Sequence, residues 1–396
     1  MAIPKEKHSD GRAAVLPGST SPSRRKLALF RLLVVVLALS PLILWETYLR
    51  ATREPVDLWA ETGRTTGPNP IRRWGLVDAF SAYRGRPGTY PHGKSINRHG
   101  FISTPDLAVA KPAGTLRIVF LGGSSTAGTG HMLADEETWP WKVANILRAR
   151  LPGRNIEFIN GAMDGYTSFE SFGRLWSRIR FFSPDIVVLD HGWNEMYYFG
   201  DAARAASWRT LPDGSWSLDR AAQPLAVYDP LLIDHLIWPS QALSEIRLRV
   251  SHHLRGEVAR ARPLATHYDR RGLDIWRTHL QLFRETARII GATLLVVKQP
   301  TLIVPDLPPA QRARCRYDYH GFDHDAHVDA YRKIYQVIDE EIPADRILDL
   351  TTLSGQPGLF YDHVHPTATG TSQIASGVAA GLLRFLRPAG GTAPRP

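Results

Sequence analysis

The chain of 396 residues contains a single cysteine, Cys315. A lone thiol forms no intramolecular disulfide and no cysteine-based zinc site, so cross-linked scaffolds and zinc-ribbon architectures are excluded, and cysteine usage says nothing about redox compartment. Acidic residues are short as well, 38 against 48 basic ones, which leaves a formal charge of +10. A nucleic-acid partner is nevertheless not expected, because the basic residues are scattered and form no long tract with interleaved aromatics. Apolar residues are not scarce. At 43% of the chain they suffice for a substantial core, which excludes a disordered protein.

Part of the basic excess sits at the amino terminus, where Lys5, Lys7, Arg12, Arg24, Arg25 and Lys26 lie among Ser, Gly and Pro; residues 1–26 read as a flexible basic tail. Leu27 to Trp45 is almost wholly apolar, with Arg31 near its start. About 20 helical residues cross a hydrocarbon core, and Arg31 is close enough to the end to snorkel. A cleaved signal would need a cut after Ala38-Leu39-Ser40, yet Pro41 would follow it directly and no better site precedes Arg50. The expectation is an uncleaved transmembrane anchor over residues 27–49. Basic residues on its amino side place that side in the cytoplasm and the rest of the chain on the periplasmic or extracellular side of the inner membrane.

Residues 50–112, rich in Gly, Pro and Arg, read as a partly ordered approach segment. Its compact element is Asn97-Arg98-His99-Gly100-Phe101, a turn that packs Phe101 on the domain. The folded domain is expected at 113–388, with an insertion at 196–273 and a flexible end at 389–396.

That domain is organised around Leu116–Gly130. An apolar, partly β-branched run stops at Gly122-Gly123, which reads as a buried strand entering a tight turn that presents Ser124. Strands and helices then alternate. Helices are expected at Thr138–Leu151, at Thr167 onward behind a capping box with Glu170 and with Phe172, Trp176 and Ile179 inward, at Asp274–Ile290, at Val328–Ile338 and at Pro366–Leu386. Further strands are expected at Ile156–Ile159, Asp185–Asp190, Thr293–Val297 and Arg346–Leu350. Continuous apolar strands separated by helices imply a parallel sheet covered on both faces, with ligands beyond the carboxyl ends of the strands.

Ser124 follows the first strand, Gly165 the second, Asn194 the third and Tyr361-Asp362-His363-Val364-His365 the fifth, so all four groups fall on one rim. A histidine that takes a proton from a serine, with an aspartate three residues earlier to orient it, is what nucleophilic catalysis requires. The N–H groups of Ser124 and Gly165 and the side-chain amide of Asn194 are suited to a developing oxyanion.

Gly122-Gly123-Ser124, the Gly165 turn, Gly192-Trp193-Asn194 and Asp362-His363-Val364-His365 together resemble the four motif blocks of the SGNH (GDSL-type) hydrolases, over roughly residues 113 to 388. The resemblance implies a three-layer α/β/α sandwich around a five-stranded parallel sheet, of SGNH or flavodoxin-like type. It implies Ser124 as nucleophile, His365 as general base, Asp362 as its partner, and Ser124, Gly165 and Asn194 as the oxyanion hole. Two positions depart from the family pattern: Gly123 stands where an Asp is usual, and Glu195 where an Asp follows the Asn. Ser125 is the rival nucleophile.

A metal reading of His320, Asp323, His324, Asp325 and His327 competes with a polar loop flanking the site, and a serine mechanism needs neither metal nor cofactor. His363 reads as a neighbour of the base. In the insertion, Tyr197, Tyr198, Trp208, Trp216 and Trp238 either stack on sugars or form a small core, and Ser240 opens a helix through Val250 with an Arg-rich face suited to lipid headgroups. The expected function is hydrolysis of an acetyl or short acyl ester on a glycan or lipid. Acyl transfer to an envelope polysaccharide and a non-catalytic glycan-binding scaffold are the alternatives.

Overall fold

The computed structural model describes residues 23–52, 75–78, 80–131, 133–199, 236–237, 240–255 and 263–386. The basic tail before residue 23, the carboxyl end at 389–396, and Trp208, Trp216 and Trp238 lie outside the described residues. Four short strands come first: β1 (Gly75–Asp78) pairs antiparallel with β2 (Ala82–Gly85), and β3 (Gly88–Tyr90) with β4 (Lys94–Ile96). Five parallel strands follow, β5 (Thr115–Gly122), β6 (Asn155–Asn160), β7 (Ile186–His191), β8 (Thr293–Lys298) and β9 (Ile347–Asp349), in the spatial order β6-β5-β7-β8-β9. This is the doubly wound order of flavodoxin-like sheets, whose winding reverses on either side of the first strand. The crevice at that reversal opens beyond the carboxyl ends of β5 and β7.

Residues alternate between the faces of the sheet because side chains of a strand point to opposite sides. Ile118 and Phe120 of β5, with Phe158, Val188 and Leu295, pack on α3 (Trp139–Arg150) and α8 (Ala368–Leu386) through Trp139, Val143, Leu147, Ile374, Val378 and Leu382. Val119 and Leu121, with Ile159, Val187, Leu189 and Val296, pack on α4 (Ser168–Ser177), α6 (Arg271–Ile289) and α7 (His324–Glu341) through Leu175, Trp276, Leu280, Phe283 and Ile334. The result is the expected three-layer α/β/α sandwich. Each fully buried Leu, Val or Phe contributes about 1.5–3 kcal/mol, so both layers are needed to hold the sheet.

Differences from the sequence expectations have local causes. The α4 helix begins as the capping box dictates: Thr167 Oγ1 accepts from the Phe169 N–H and Glu170 Oε2 from the Thr167 N–H. Its inner face, however, is taken by Arg174 and Leu175, which turns Trp176 outward to 37% exposure, under the Arg180 guanidinium at 4.1 Å. The α7 helix starts at His324 rather than Val328 because Asp323 caps it through the Ala326 N–H. The described residues between 75 and 96 are not irregular but form the two hairpins, and Ile96 bridges onward to Ile102. In the Asn97 turn, Asn97 Oδ1 accepts from the N–H groups of His99 and Phe101, and Phe101 is fully buried.

Helix α1 (Arg24–Thr52) is long and apolar enough to span a membrane or to serve as a signal sequence. At its carboxyl end Glu46 accepts hydrogen bonds from Ser240 Oγ at 2.9 Å and from the N–H groups of Gln241 and Ala242 at 3.1 and 2.8 Å. Glu46 thus caps α5 (Gln241–Arg255), which extends past the expected Val250.

Two buried arginines stitch the domain. Arg117 enters β5 with no exposed surface; its guanidinium donates to Glu157 Oε2 and to the carbonyls of Ala108, Val109 and Phe182. Arg174 donates to the carbonyls of Gly161, Ala162 and Gly100 and lies 5.2 Å over the Phe101 ring. The hairpins also press directly on α4, since a Cβ at Gly173 would lie 1.8 Å from the Phe80 carbonyl oxygen. Backbone meeting backbone leaves no side chain to yield. Gly173→Ala should therefore lower stability by about 1–3 kcal/mol in urea denaturation, whereas Gly153→Ala, whose Cβ would meet nothing within 4 Å, should change it by less than about 0.5 kcal/mol.

Candidate active site

The β5 strand ends at Gly122, and the chain turns at once into α2 (Ser124–Ala127), a single helical turn with Gly123 at its N-cap and Gly128, at φ +71°, closing it. Ser124 is thereby lifted onto the rim. Its Oγ lies 2.7 Å from His365 Nε2, and His365 Nδ1 lies 2.7 Å from Asp362 Oδ2. The other carboxylate oxygen of Asp362 accepts from the N–H groups of Val364 and His365, both at 2.9 Å. Burial alone would raise the Asp362 carboxyl; the His365 hydrogen bond and charge, with the backbone donors, instead hold it well below the usual carboxylate range.

Ser125, the rival, is buried and points elsewhere, its Oγ accepting from Gln299 Nε2 at 3.2 Å. Gln299 also reaches Asp190 Oδ1 and receives the Trp193 N–H at 2.9 Å, while Thr126 Oγ1 donates to Asp190 Oδ2 at 2.7 Å. This network underlies the turn and seats it on the end of β7.

Asn194 opens the turn after β7. Its Nδ2 donates to the Tyr166 carbonyl at 2.8 Å, and a Cβ at Gly123 would lie 2.5 Å from that same nitrogen. The turns carrying Ser124, Gly165 and Asn194 are therefore in mutual contact. Gly165 stands at φ +65°, a left-handed conformation that glycine adopts without strain. A small recess lined by Gly123, Ser124, Trp193, Asn194, Gln299 and Val364 lies beside the serine.

Two neighbours of the site escaped the sequence reading. His131 Nε2 sits 3.5 Å from Asp362 Oδ2, and its ring lies 4.2 Å from that of Tyr361, which forms part of the rim. Asp164, just before Gly165, is buried; burial pushes its carboxyl up to about 7, against the opposing charges of His365 and Lys94. Neither carries a local sequence signal, since both are brought in by loops.

His363 packs its ring 3.8 Å from Trp193, and burial pushes it down to about 3, so it is a neutral neighbour of His365. The expected polar loop at 320–327 is instead packed inward. His320 and His327 lie against Trp193, His324 bonds Tyr317 and the Val304 carbonyl, and Asp323 caps α7. Among the described residues, metal-type side chains converge at His131, Asp362 and His365, within the hydrogen-bonded chain already described. Tyr198 is buried with its hydroxyl 2.9 Å from Thr167 Oγ1, and Tyr197 packs half-buried against the same core, so these two, the described members of the insertion's aromatic set, belong to the core.

Glu195, at the second departure from the family pattern, is fully buried. It accepts from the Ser168 N–H at 2.7 Å and the Ser168 hydroxyl at 2.6 Å and faces His191 Nδ1 at 3.4 Å, and burial pushes its carboxyl up to about 8. A raised carboxyl keeps a proton in the folded state that the unfolded chain releases above the ordinary Glu value of 4.5. The associated stability is present below 4.5 and is lost as pH rises through about 8. Asp164 and Asp190, pushed up to about 7 and about 6 by burial, act with the same sign. In thermal unfolding between pH 5 and 9, Glu195→Gln, which fixes the neutral form, should gain stability relative to wild type as pH rises through about 8, because it lacks this loss while the buried histidines titrate alike in both.

No family model matches this chain, and no curated protein matches it. Among solved structures it is similar to LAE5, an alpha/beta hydrolase from the metagenome of Lake Arreo, Spain, at 15% identity over 68% of this chain and 96% of the other, with a TM-score of 0.37. It is likewise similar to Axe2, an acetylxylan esterase from Geobacillus stearothermophilus, at 16% identity over 68% and 95%, with a TM-score of 0.36. A third is a GDSL-like lipase from Bacteroides thetaiotaomicron, at 13% identity over 68% and 89%, with a TM-score of 0.35.

Proposed function

We propose that this chain is a serine esterase of the SGNH (GDSL) type, held at a membrane by α1, and that it removes an acetyl or short acyl group from a glycan or lipid. The observation that carries the reading is the unbroken chain Ser124 Oγ, His365, Asp362, with both links at 2.7 Å between groups 241 and 3 residues apart.

In this mechanism Ser124 Oγ attacks the ester carbonyl carbon while its proton passes to His365 Nε2. Asp362, kept ionised, orients the ring through Nδ1 and balances the imidazolium that forms. The oxyanion is met by the N–H groups of Ser124 and Gly165 and by Asn194. Because an amide nitrogen has two hydrogens and Tyr166 takes one, Asn194 keeps the second for the substrate. The tetrahedral intermediate collapses, the C–O bond to the alcohol breaks, and His365 returns its proton to the leaving oxygen. Water, deprotonated by the same ring, then hydrolyses the acyl-enzyme and restores Ser124. The basic residues before α1 support a cytoplasmic amino terminus with the site outside.

The test uses the full chain in detergent with a serine-directed fluorophosphonate and a chromogenic acetyl ester. Wild type should label and turn over, and Ser124→Ala should do neither. His365→Ala and Asp362→Asn should each lower kcat by about 10³-fold or more, because members of such a set act as a unit. Unlabelled wild type would favour a non-catalytic scaffold. An acylated oligosaccharide, formed in place of free acid when a sugar acceptor is added, would identify acyl transfer.

A further inference from the structure

Lys94 opens β4, in a hairpin outside the parallel sheet, and has no exposed surface. Its ammonium donates to the Ala127 carbonyl at 3.2 Å and to Ser103 Oγ at 3.0 Å. Ala127 is the last residue of the helical turn that Ser124 begins. A helix of one turn leaves its final carbonyls without helical partners, so an outside donor there decides how firmly the turn is held. The fit is close: a Cβ at Gly128 would lie 3.2 Å from Lys94 Nζ and 2.6 Å from Thr138 Cγ2. The next residue fastens the same strand, since the Ser95 N–H donates to Asp135 Oδ1 at 3.0 Å and its hydroxyl to Asp135 Oδ2. Burying an ammonium is costly unless it is paired, so packing alone does not account for a lysine here.

We propose that Lys94 is a positioning residue for Ser124: from the hairpin outside the sheet, its buried ammonium grips the carboxyl end of the turn and fixes the serine hydroxyl against His365. This deepens the esterase reading and rests on it. The hairpin is then a working part of the site rather than an approach to it.

The grip is sensitive to pH. Burial pushes the ammonium down to about 8, partly opposed by the charges of Asp135, Asp164, Glu137 and Glu136, the acidic groups that face it. Above that pH the neutral amine makes weaker hydrogen bonds than the charged donor. Asp164, whose Oδ1 has no hydrogen-bond partner among the described residues, then also loses the Lys94 charge, one of the two, with His365, that oppose the effect of its burial.

The experiment is the second-order rate of fluorophosphonate labelling, with kcat and KM for the chromogenic ester, from pH 5 to 10 on the full chain. Wild type should lose reactivity above pH 8, Lys94→Arg should carry that limb to higher pH, and Lys94→Met should lack it while kcat falls by about 10-fold with KM nearly unchanged. Ser103→Ala, which removes the other acceptor, should weaken the grip less than Lys94→Met. Should Lys94→Met fail to fold, the wild-type and Lys94→Arg profiles decide alone. Labelling of wild type that is flat from pH 7 to 10, or profiles of wild type and Lys94→Arg that coincide, would overturn the positioning role and leave the esterase reading standing. Wild type unlabelled at every pH would end both.

Discussion

One contact sets the terms for the rest of the molecule: a serine hydroxyl and an imidazole nitrogen 2.7 Å apart whose residues are separated by 241 positions. A hydrogen bond of that length tolerates little error, so every element between the two must be rigid where it meets the rim. The sheet supplies most of this. Strands β5 and β7 are buried at every residue, and the N-cap and the four residues of α2 follow β5 without a connecting loop. The rim itself is stiffened by buried cations that bind backbone carbonyls. Arg117 ties the amino end of β5 to the loop before it, Arg174 ties the Gly161–Ala162 segment to the Gly100 turn, and Lys94 ties α2 to the hairpin. A carbonyl gripped by a charged donor in low dielectric is a firmer anchor than one left to water.

The sheet, its helical layers and the four rim groups were legible in the sequence because each leaves a local trace. Buried parallel strands read as apolar runs, a capping box marks the start of α4, and the Asp362–His365 spacing is short enough to see directly. What was not legible depends on partners distant in the chain. Nothing around Lys94, Arg117 or Arg174 announces that their charges are buried, because the carbonyls that receive them lie 8 to 74 residues away. Trp176 was misplaced for the same reason: helical spacing puts it near the inner face, but Arg174, fixed by Gly100 and Gly161, had already claimed that face. The histidines at 320–327 looked like a polar loop by composition and proved to be packing partners of Trp193, a residue more than a hundred positions earlier.

The two departures from the family pattern become one arrangement when their neighbours are considered. At Gly123 there is no side chain, and Asn194 Nδ2 occupies the approach that a Cβ would obstruct at 2.5 Å. From there Asn194 reaches the Tyr166 carbonyl and so braces the Gly165 turn. Glu195 secures the other end of that turn, since it accepts both the Ser168 N–H and the Ser168 hydroxyl at the start of α4. Residues 123, 194 and 195 thus hold residues 165 to 168 from both sides. A shorter aspartate at 195 would not span the same gap without moving the helix, and the neutral state favoured at Glu195 spares the buried site an uncompensated charge.

The apolar helix α1 is joined to the insertion by more than chain continuity. The insertion leaves the core at Phe199 and returns at Asp269, whose N–H donates to the Phe199 carbonyl at 2.9 Å, so its two ends meet at a closed base. Between them, α5 begins on Glu46 of α1, with three hydrogen bonds to one carboxylate, and Arg249 lies 5.5 Å over the Trp45 ring. Phe199 is only five residues beyond Asn194. On the Ser124 side the β3–β4 hairpin reaches the same rim by way of Lys94. Ser124 and the Gly165 turn are thus braced from different elements, the first by Lys94 of β4 and the second by Asn194 in the turn after β7, so the spacing between them depends on how the hairpin and that turn are both seated on the sheet.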